Sequence, residues 1–324
     1  FFLHKKENMY KIKEEYSYYF HNNEYYIYCL DNLFSGNINN INNLLKNNRF
    51  KFNNLDVRNE KKILNFYRNI KFDYIFNFAC PASPIHYQKD PIYTIETAFL
   101  GTSNLLKKAV KDNAIFFQAS TSEIYGDPLV TPQIESYFGN VNTIGIRSCY
   151  DEGKRIGETL CSDYHNKYGI DIRIGRIFNT FGPNMCINDG RVISEFIVKA
   201  LLNQDLVING SGTQTRSFCY IDTLLEQIID LVFFNNSLNK NLPVNIGNDE
   251  IELSINDLAL KIRKMIQNDR IISKIIYKDA LFDEPQRRFP NLNKIKEISD
   301  FYKHKISIDD GLKLTIEYFK QIIN

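Results

Sequence analysis

The sequence has no pair of cysteines in the spacing Cys-x-x-Cys. Structural zinc sites and disulfide frameworks are recognised by closely spaced cysteines, so neither is indicated and we expect no metal site. Isolated cysteines fit a reducing compartment, where most of them pack as small apolar side chains. The six cysteines are Cys29, Cys80, Cys149, Cys161, Cys186 and Cys219.

Long apolar runs and an excess of one charge are also missing. No run reaches the ~18 residues of a membrane-spanning helix, and the formal net charge is only +2. Nucleic-acid binding needs a clustered basic surface, so we expect neither a membrane span nor a nucleic-acid partner. The 324 residues suffice for one large domain or two modest ones with a substantial core.

Short apolar runs alternate with longer helical patterns. The runs predict strands within residues 25–32, 50–57, 72–79, 114–121 and 171–180. The longer patterns predict helices over 91–112 and 150–168. Strands that alternate with helices predict an α/β fold with a doubly wound parallel sheet covered on both faces. After "FGPN" (181–184) the elements become shorter and mixed, which predicts a second, smaller α/β region.

Polar residues that directly follow the predicted strands are the first candidates for a site, because ligands of open parallel sheets bind beyond the carboxyl ends of the strands. Asp31 ends the first strand, where a carboxylate can bind the ribose hydroxyls of a dinucleotide. The same carboxylate would repel a 2′-phosphate, which favours NAD over NADP. Asp56 follows the next strand and can approach an adenine edge. Capping of a turn is the alternative role for either residue.

Tyr150 and Lys154 are four residues apart and therefore share one helix face. An ammonium next to a phenol lowers the phenol pKa from about 10 and can make it a base near neutral pH. "ASTSEIYGD" (119–127) follows a predicted strand and would add Thr121, Ser122 and Glu123 at the ligand crevice, completing a set for proton transfer. A solvated helix face and a hydrogen-bonded turn are the alternatives.

These pieces, in this order, resemble the extended short-chain dehydrogenase/reductase family, and most closely its UDP-glucuronate decarboxylases. The resemblance covers nearly all of the chain from residue 25 onward. It rests on eight collinear stretches: "DNLFSG" (31–36), "ACPASPIHY" (79–87), "STSEIYGDP" (120–128), "YDEGKR" (150–155), "RIFNTFGP" (176–183), "NDGRVISEFI" (188–197), "GSGTQTRSF" (210–218) and "DEPQRRFP" (283–290).

The resemblance implies a Rossmann-type domain over residues 1–178 that binds NAD and a lobe over 179–324 that binds a UDP-sugar. Tyr150 would take the proton of the sugar C4 hydroxyl while hydride passes to NAD⁺. Lys154 would bind the nicotinamide ribose and lower the pKa of Tyr150. The resulting 4-ketone lies β to the C6 carboxylate, so carbon dioxide can leave while the bonding electrons form an enolate. Ser122 and Glu123 would then handle protons before the hydride returns, and the net product would be UDP-xylose.

Site residues follow from the same resemblance. Arg288 would hold the sugar carboxylate bidentately, with Arg287 as an adjacent possibility and a solvated basic patch as the alternative. The catalytic set is Thr121, Ser122, Glu123, Tyr150, Lys154 and Arg288. The cofactor would contact Asp31, Asn32, Phe34, Ser35, Gly36, Asp56, Val57, Phe78, Cys80, Thr97, Ala119, Tyr150, Lys154, Thr180 and Arg191. The substrate would contact Tyr87, Asn179, Arg191, Gln214, Arg216, Arg287 and Arg288.

The N-terminal segment departs from the family pattern. A strand and a glycine-rich turn that approaches the pyrophosphate are expected near residues 4–14. That segment reads "HKKENMYKIKE", and the first glycine of the chain is Gly36. A misread or mis-joined start, a shortened inactive chain, and a divergent way of binding the cofactor are the three explanations.

Alternative functions follow from these observations. One is another nucleotide-sugar enzyme of the family, an epimerase or a 4,6-dehydratase; Ser122 and Arg288 argue against it. The other is a non-catalytic subunit that binds sugar nucleotides, for which the missing glycines argue. Relatives suggest a homodimer built on a helix pair. We expect a cytoplasmic location, with the secretory pathway or Golgi as the alternative if an anchor precedes Phe1.

Overall fold

The computed structural model describes residues 25–233, 241–267, 272–280, 284–300 and 305–323. Its strands are β1 (Ile27–Asp31), β2 (Phe50–Asn54), β3 (Tyr74–Asn77), β4 (Ile115–Thr121), β5 (Ile172–Ile177), β6 (Thr180–Phe181), β7 (Leu206–Asn209), β8 (Thr215–Ser217), β9 (Cys219–Tyr220), β10 (Pro243–Ile246), β11 (Glu252–Ser254), β12 (Ile275–Lys278) and β13 (Arg287–Arg288). All five predicted strands are confirmed as β1 to β5.

The helices within the described ranges are α1 (Glu60–Phe66), α2 (Pro84–Lys89), α3 (Pro91–Glu96), α4 (Thr102–Asp112), α5 (Ser148–Tyr168), α6 (Val192–Leu201), α7 (Ile221–Phe233), α8 (Ile255–Gln267), α9 (Asn293–Lys296) and α10 (Ile308–Ile323). A π-helical segment, Thr97–Gly101, joins α3 to α4. Both predicted helices, 91–112 and 150–168, are therefore confirmed. Across the described residues, no helix combines the length and apolarity needed to cross a membrane.

The main sheet has the order β10-β5-β4-β3, and every pair in it is parallel. A second parallel pair joins β1 to β2. The predicted α/β class with a parallel sheet is confirmed. The glycine-free segment 4–14 lies outside the described residues.

Strand β4 explains why both faces of the main sheet are covered. Consecutive side chains of a strand point to opposite faces, and both Phe116 and Phe117 are buried. Phe116 packs in one apolar cluster with Leu106 of α4, and Phe117 packs in another with Leu231 of α7 and Ile246 of β10. Polar residues already enter β4 at Gln118, Ser120 and Thr121, all of them buried, so the strand becomes polar towards the carboxyl end where the site begins.

The chain after residue 178 builds smaller sheets. β8 pairs antiparallel with β11 and parallel with β13, and β7 pairs parallel with β12. Their core includes Phe196 of α6, Leu258 and Ile262 of α8, and Phe319 of α10. This region also returns to the main sheet, because β10 pairs with β5. The division at residue 178 stays a prediction.

A buried ion pair anchors α4 beneath the main sheet. Lys108 and Asp112 are 2% and 4% exposed, and Lys108 Nζ lies 2.6 Å from the Asp112 carboxylate. Lys108 Nζ also donates to the Ile70 carbonyl oxygen at 2.7 Å, while Asp112 Oδ2 accepts from the Phe72 backbone N–H at 2.9 Å. The pair therefore ties α4 to the segment that leads into β3.

We expect Lys108→Met to lower the free energy of unfolding by about 3 kcal/mol, because it leaves the Asp112 carboxylate buried without its cation. Lys107→Met is the matched control, since Lys107 is 43% exposed and pairs with Glu60 at the surface. That change should cost about 1 kcal/mol or less. Urea denaturation followed by circular dichroism measures both. Equal losses in the two variants would contradict a stabilising role for the buried pair.

Candidate active site

A single turn of 3₁₀ helix, Ser122–Tyr125, carries Glu123 at the carboxyl end of β4. The Thr121 hydroxyl caps this turn by accepting from the Glu123 backbone N–H at 3.2 Å. The turn ends at Gly126, whose φ of 61° lies in the left-handed region that favours glycine. A Cβ on Gly126 would lie 1.9 Å from the Asn140 carbonyl oxygen. Glu123 is therefore held by a hydrogen bond to Thr121 before it and by the steric requirement at Gly126 after it.

Helix α5 brings Tyr150 and Lys154 to the same end of the sheet, and both side chains are buried. Lys154 Nζ donates to the Ala119 carbonyl oxygen at 2.8 Å and lies 5.7 Å from the centroid of the Tyr150 ring. A Cβ on Gly153 would lie 3.0 Å from that of Ala98. Small residues at both positions let α5 approach its neighbouring helices closely.

The protonation of Tyr150 differs from the sequence expectation. Burial raises its pKa, nearby Cys80 and Glu123 raise it further, and a hydrogen bond from Thr121 opposes them. Burial also lowers the pKa of Lys154. The expected lowering of the Tyr150 pKa by Lys154 is not found: desolvation of the phenolate is the largest effect on that pKa, and the lowering effect is the Thr121 hydrogen bond.

Tyr87 lies flat against Tyr150, with ring centroids 5.2 Å apart and an angle of 10° between the planes. Its hydroxyl is buried and makes no hydrogen bond. Burial raises the pKa of Tyr87, and charges on Glu123, Arg147 and Arg288 also act on it. The charge of Glu123 therefore acts on both stacked phenols, and the charges of Arg147 and Arg288 act on Tyr87.

Glu123, Arg147, Arg216 and Arg288 form what we call the Glu123 cluster. Arg288 donates from both terminal nitrogens to the two Glu123 carboxylate oxygens. Arg147 Nη2 donates to Glu123 Oε2 at 2.6 Å. Arg216 is fixed by carbonyl oxygens, including that of Pro285 at 2.6 Å, and acts on Glu123 through its charge. One carboxylate thus joins β4, α5 and β13.

Opposing effects set the ionisation of Glu123. Burial raises its pKa, but the positive charges of Arg288 and then Arg147 outweigh burial, so the pKa is lowered overall. The carboxylate is therefore ionised at neutral pH. Burial, and then repulsion by Arg288, lower the pKa of Arg216 to about 10.

Arg287 does not join the Glu123 cluster, although it is adjacent to Arg288. Neighbouring strand residues point to opposite faces, and the side chains of Arg287 and Arg288 are 51% and 6% exposed. Arg287 instead binds Glu252 of β11 through Nε and Nη2, both at 2.6 Å. The structure brings together only one of the two candidate arginines.

The carboxyl ends of β1 and β2 meet in a second polar group. Asn32 Nδ2 donates to Asp56 Oδ2 at 3.3 Å and to the Tyr93 hydroxyl at 2.5 Å. The Arg58 guanidinium binds Asp56 and lies 4.0 Å above the Tyr93 ring centroid. Burial raises the Asp56 pKa, but hydrogen bonds with Arg58 outweigh it and leave the pKa lowered.

The surroundings of Asp31 fit the ribose of a dinucleotide. Asp31 Oδ1 accepts from the Leu33 backbone N–H at 2.7 Å. Asp31 Oδ2 faces Gly36, where a Cβ would lie 3.0 Å from this oxygen and fill the space beside it. Gly36 therefore keeps that space open for a hydroxyl that donates to the carboxylate.

The remaining cofactor candidates lie around these two groups. Phe34 stacks on Tyr93 with centroids 4.4 Å apart, and Thr97 donates from its hydroxyl to the Tyr93 carbonyl oxygen at 2.7 Å. Val57 and Ala119 are buried, Phe78 and Cys80 are half-buried, and Ser35 is exposed. The Thr180 hydroxyl donates to the Phe178 carbonyl oxygen at 2.9 Å. None of these contacts assigns a ligand to these residues.

The substrate candidates of the C-terminal region are less closely assembled. Asn179 has a buried Nδ2 with no hydrogen-bond partner. Gln214 Nε2 donates to the Asn209 carbonyl oxygen at 3.0 Å. Arg191 pairs with Asp189, donating from Nη2 to Oδ1 at 3.0 Å. The unpartnered Asn179 donor is the one among them that is buried and available to a bound molecule.

Arg147 is the residue that the sequence expectations missed. It precedes Tyr150 by three residues and begins α5 as its N-cap. Residues three apart on a helix are neighbours. A cation three residues before Tyr150 could therefore have been recognised in the sequence as a third residue of the site.

We expect Glu123→Gln to lower the free energy of unfolding at neutral pH by about 3 kcal/mol, because it leaves two buried guanidiniums without an anion. The folded pKa of Glu123 lies below the unfolded value of about 4.3. Ionised Glu123 therefore stabilises the fold above the unfolded pKa. This stabilisation is lost as the pH falls through the folded pKa. The difference between parent and variant should shrink in acid.

Glu252→Gln is the control for this prediction, since its partner Arg287 is exposed, and it should cost about 1 kcal/mol or less. Urea denaturation at neutral and acid pH measures both variants. A difference for Glu123→Gln that does not change with pH would contradict the role assigned to ionised Glu123.

Comparisons with known proteins identify the family to which the chain belongs. A family model described as the NAD dependent epimerase/dehydratase family matches residues 16–247. UDP-glucuronic acid decarboxylase 3 of Arabidopsis thaliana is 44% identical over 294 residues, which are 91% of this chain and 81% of that protein. UDP-glucuronic acid decarboxylase 1 of Xenopus tropicalis is 41% identical over 292 residues, 90% of this chain and 66% of that protein.

Solved structures share the fold. UDP-glucose 4-epimerase of Thermotoga maritima, solved with UDP-glucose, has a TM-score of 0.82 at 22% identity and covers 96% of both chains. UDP-glucuronic acid 4-epimerase of Bacillus cereus, in complex with UDP-glucuronic acid and NAD, has a TM-score of 0.79 at 24% identity and covers 92% of both. From the family match and the identity to the Arabidopsis and Xenopus proteins, the chain belongs to the NAD dependent epimerase/dehydratase family.

Proposed function

We propose that this chain is an NAD-dependent UDP-glucuronate decarboxylase that forms UDP-xylose. Its curated relatives at 41–44% identity are named UDP-glucuronic acid decarboxylases. The observation that carries the proposal is the buried Arg288, a guanidinium whose carboxylate partner Glu123 also acts on Tyr150. A uronic acid adds one carboxylate to a sugar, and a buried bidentate guanidinium is the group that recognises it.

We propose that residues 1–178 bind NAD and residues 179–324 bind the UDP-sugar. Asp31 would hold ribose hydroxyls, with Asp56 nearby at the adenine end and Lys154 at the other ribose. When bound, NAD accepts hydride from the sugar C4 and later returns it. The unpartnered Asn179 Nδ2, with Gln214 and Arg216, would bind the nucleotide diphosphate.

Tyr150 Oη takes the proton of the C4 hydroxyl in the proposed reaction. Burial keeps that oxygen protonated in the structure described, so a positive charge must approach Oη before it can act as a base. The Thr121 hydroxyl, which hydrogen-bonds Tyr150, would relay the proton. Tyr87 covers one face of the Tyr150 ring and excludes water from it.

Arg288 would hold the C6 carboxylate of the 4-keto sugar, and the electrons of the C5–C6 bond would pass into the C4 ketone as an enolate when carbon dioxide leaves. The carbon left behind must gain a proton at C5. Ser122 is buried at the start of the 3₁₀ turn, beside Glu123, and its hydroxyl would relay that proton from solvent while the ionised Glu123 carboxylate orients the hydroxyl. The substrate carboxylate has to share Arg288 with Glu123.

The deciding experiment incubates the chain with UDP-glucuronate and NAD⁺ and follows both carbon dioxide and the nucleotide-sugar product. Release of carbon dioxide with UDP-xylose supports the proposal. The C4 epimer without carbon dioxide would assign an epimerase instead. Binding of UDP with neither product would favour a non-catalytic subunit, and Tyr150→Phe provides the inactive reference.

We expect Arg288→Lys to lower kcat/KM for carbon dioxide release by about tenfold to a hundredfold, because an ammonium cannot make the bidentate contact. Arg287→Lys is the matched control on the opposite face of β13 and should change kcat/KM by about twofold or less. Steady-state kinetics measures both. Equal losses would show that Arg288 has no special contact with the carboxylate.

We propose a homodimer formed through α3 and α5. Ile92, Ile95 and Phe99 recur at helical spacing and are exposed, and Ile156 of α5 is exposed as well. A Cβ on Gly153 would lie 3.8 Å from the Ile95 Cα, so α3 and α5 pack side by side. Their apolar residues therefore form one surface suited to a second copy.

We expect Phe99→Asp to convert the dimer into monomer, because it places a charge in an apolar interface. Phe138→Asp is the control, since Phe138 is more exposed but lies in the loop after the 3₁₀ turn. Sedimentation equilibrium measures the mass of each variant. A parent chain that sediments as a monomer would overturn the dimer without affecting the proposed reaction.

A further inference from the structure

Arg147 links the start of the catalytic helix to the Glu123 carboxylate. Its carbonyl oxygen accepts from the backbone N–H of Tyr150 at 2.9 Å and from that of Asp151 at 3.1 Å. Its Nη2 donates to Glu123 Oε2 at 2.6 Å. Movement of Arg147 would therefore disturb both the first turn of α5 and the position of Glu123.

In the proposed reaction Arg288 binds two carboxylates, that of Glu123 and that of the sugar. Both of its terminal nitrogens contact Glu123, and its buried Nε has no hydrogen-bond partner. When it binds the sugar carboxylate, it must release part of its hold on Glu123. A buried carboxylate that loses its cation is strongly destabilised or takes up a proton. Some other cation must then keep Glu123 ionised.

We propose that Arg147 is a positioning residue that holds Glu123 as an ionised carboxylate at the end of β4 while Arg288 binds the carboxylate of the substrate. This inference rests on the proposed function. Arg147 contacts Oε2 alone, so it leaves Oε1 free to exchange its partner. Because Arg147 begins α5, it also fixes Glu123 relative to Tyr150.

The other groups around Glu123 do not supply this role. Arg216 faces it with positive charge, but its guanidinium already donates to the carbonyl oxygens of Pro285, Thr215 and Gln286. Tyr87 and Tyr150 are uncharged phenols with raised pKa values. Asp151 lies 3.9 Å from Arg147 Nε and carries negative charge. Arg147 is thus the cation that touches Glu123 besides Arg288 among the described residues.

The ionisation of Glu123 can be measured directly. Its carboxyl carbon is followed by carbon-13 NMR in glutamate-labelled protein, with the signal assigned by its loss in Glu123→Gln. The titration is run on the parent, Arg147→Gln, Arg147→Lys and Arg155→Gln, first alone and then with UDP-glucuronate. Arg155 is the matched control, since it lies on the same helix and donates to the Ile124 and Phe138 carbonyl oxygens, not to the Glu123 carboxylate.

We expect Arg147→Gln to raise the Glu123 titration by about one pH unit, and by more when UDP-glucuronate is bound. The acid limb of the pH profile of kcat for carbon dioxide release should shift to higher pH by the same amount. The rate at pH values below this limb should then fall roughly tenfold. Arg147→Lys should restore most of both shifts, and Arg155→Gln should leave both unchanged.

The outcomes separate the two proposals. A parent chain without carbon dioxide release overturns the proposed function, and the titration without substrate still tests Arg147. An unchanged Glu123 titration in Arg147→Gln overturns the inference about Arg147, even if the parent is active. A shift of equal size in Arg155→Gln would overturn it too, because it would show a general loosening of the turn. If Arg147→Gln does not fold, the test is made on Arg147→Lys. A Glu123 titration close to that of the parent supports the inference, and a titration raised by about one pH unit overturns it.

Discussion

The contact of Glu123 with two guanidiniums is the interaction on which the rest of the site depends. It joins residues 165 positions apart in sequence, since Arg288 of β13 reaches back to the turn after β4. Arg288 is buried and Glu123 and Arg147 are largely so, and charges withdrawn from water in one place are tolerable only when each finds its partner. The cluster therefore holds β4, α5 and β13 in a single arrangement, and in it the Arg288 charge acts on Tyr87, which stacks on Tyr150. A carboxylate that binds the arginine assigned to the substrate also keeps that guanidinium buried and oriented.

Burial dominates the chemistry around the cluster. The same desolvation that raises the pKa of Tyr150 lowers that of Lys154, so burial shifts both groups towards their neutral forms. Glu123 is the exception because two cations outweigh its burial. The site thus contrasts one carboxylate held ionised with one phenol held protonated. Such a contrast between neighbouring groups is typical of acid–base sites.

The sequence predicted those features that depend on local pattern. Strands β1 to β5 are short apolar runs with polar ends. Helical spacing predicted that Tyr150 and Lys154 share a helix face, and the neighbouring "ASTSEIYGD" stretch and the family resemblance suggested their role. The contact between Arg288 and Glu123 did not follow from any spacing, because it depends on the packing of β13 against distant segments. β13 has only two residues, so no alternation distinguished Arg287 from Arg288. The raised pKa of Tyr150 was likewise inaccessible, since desolvation is set by the surrounding tertiary structure.

The pairing of β5 with β10 has a consequence for how the chain folds during synthesis. β10 is the edge strand of the main sheet, yet it is made only after the chain has passed through α6, β7 and α7. Until then β5 has an unpaired edge, and the buried face that Phe117 shares with Ile246 lacks its cover. Such long-range pairing is slow to form and exposes aggregation-prone surface in the nascent chain. A nascent chain that ends before β10 therefore exposes both this strand edge and this apolar face to solvent.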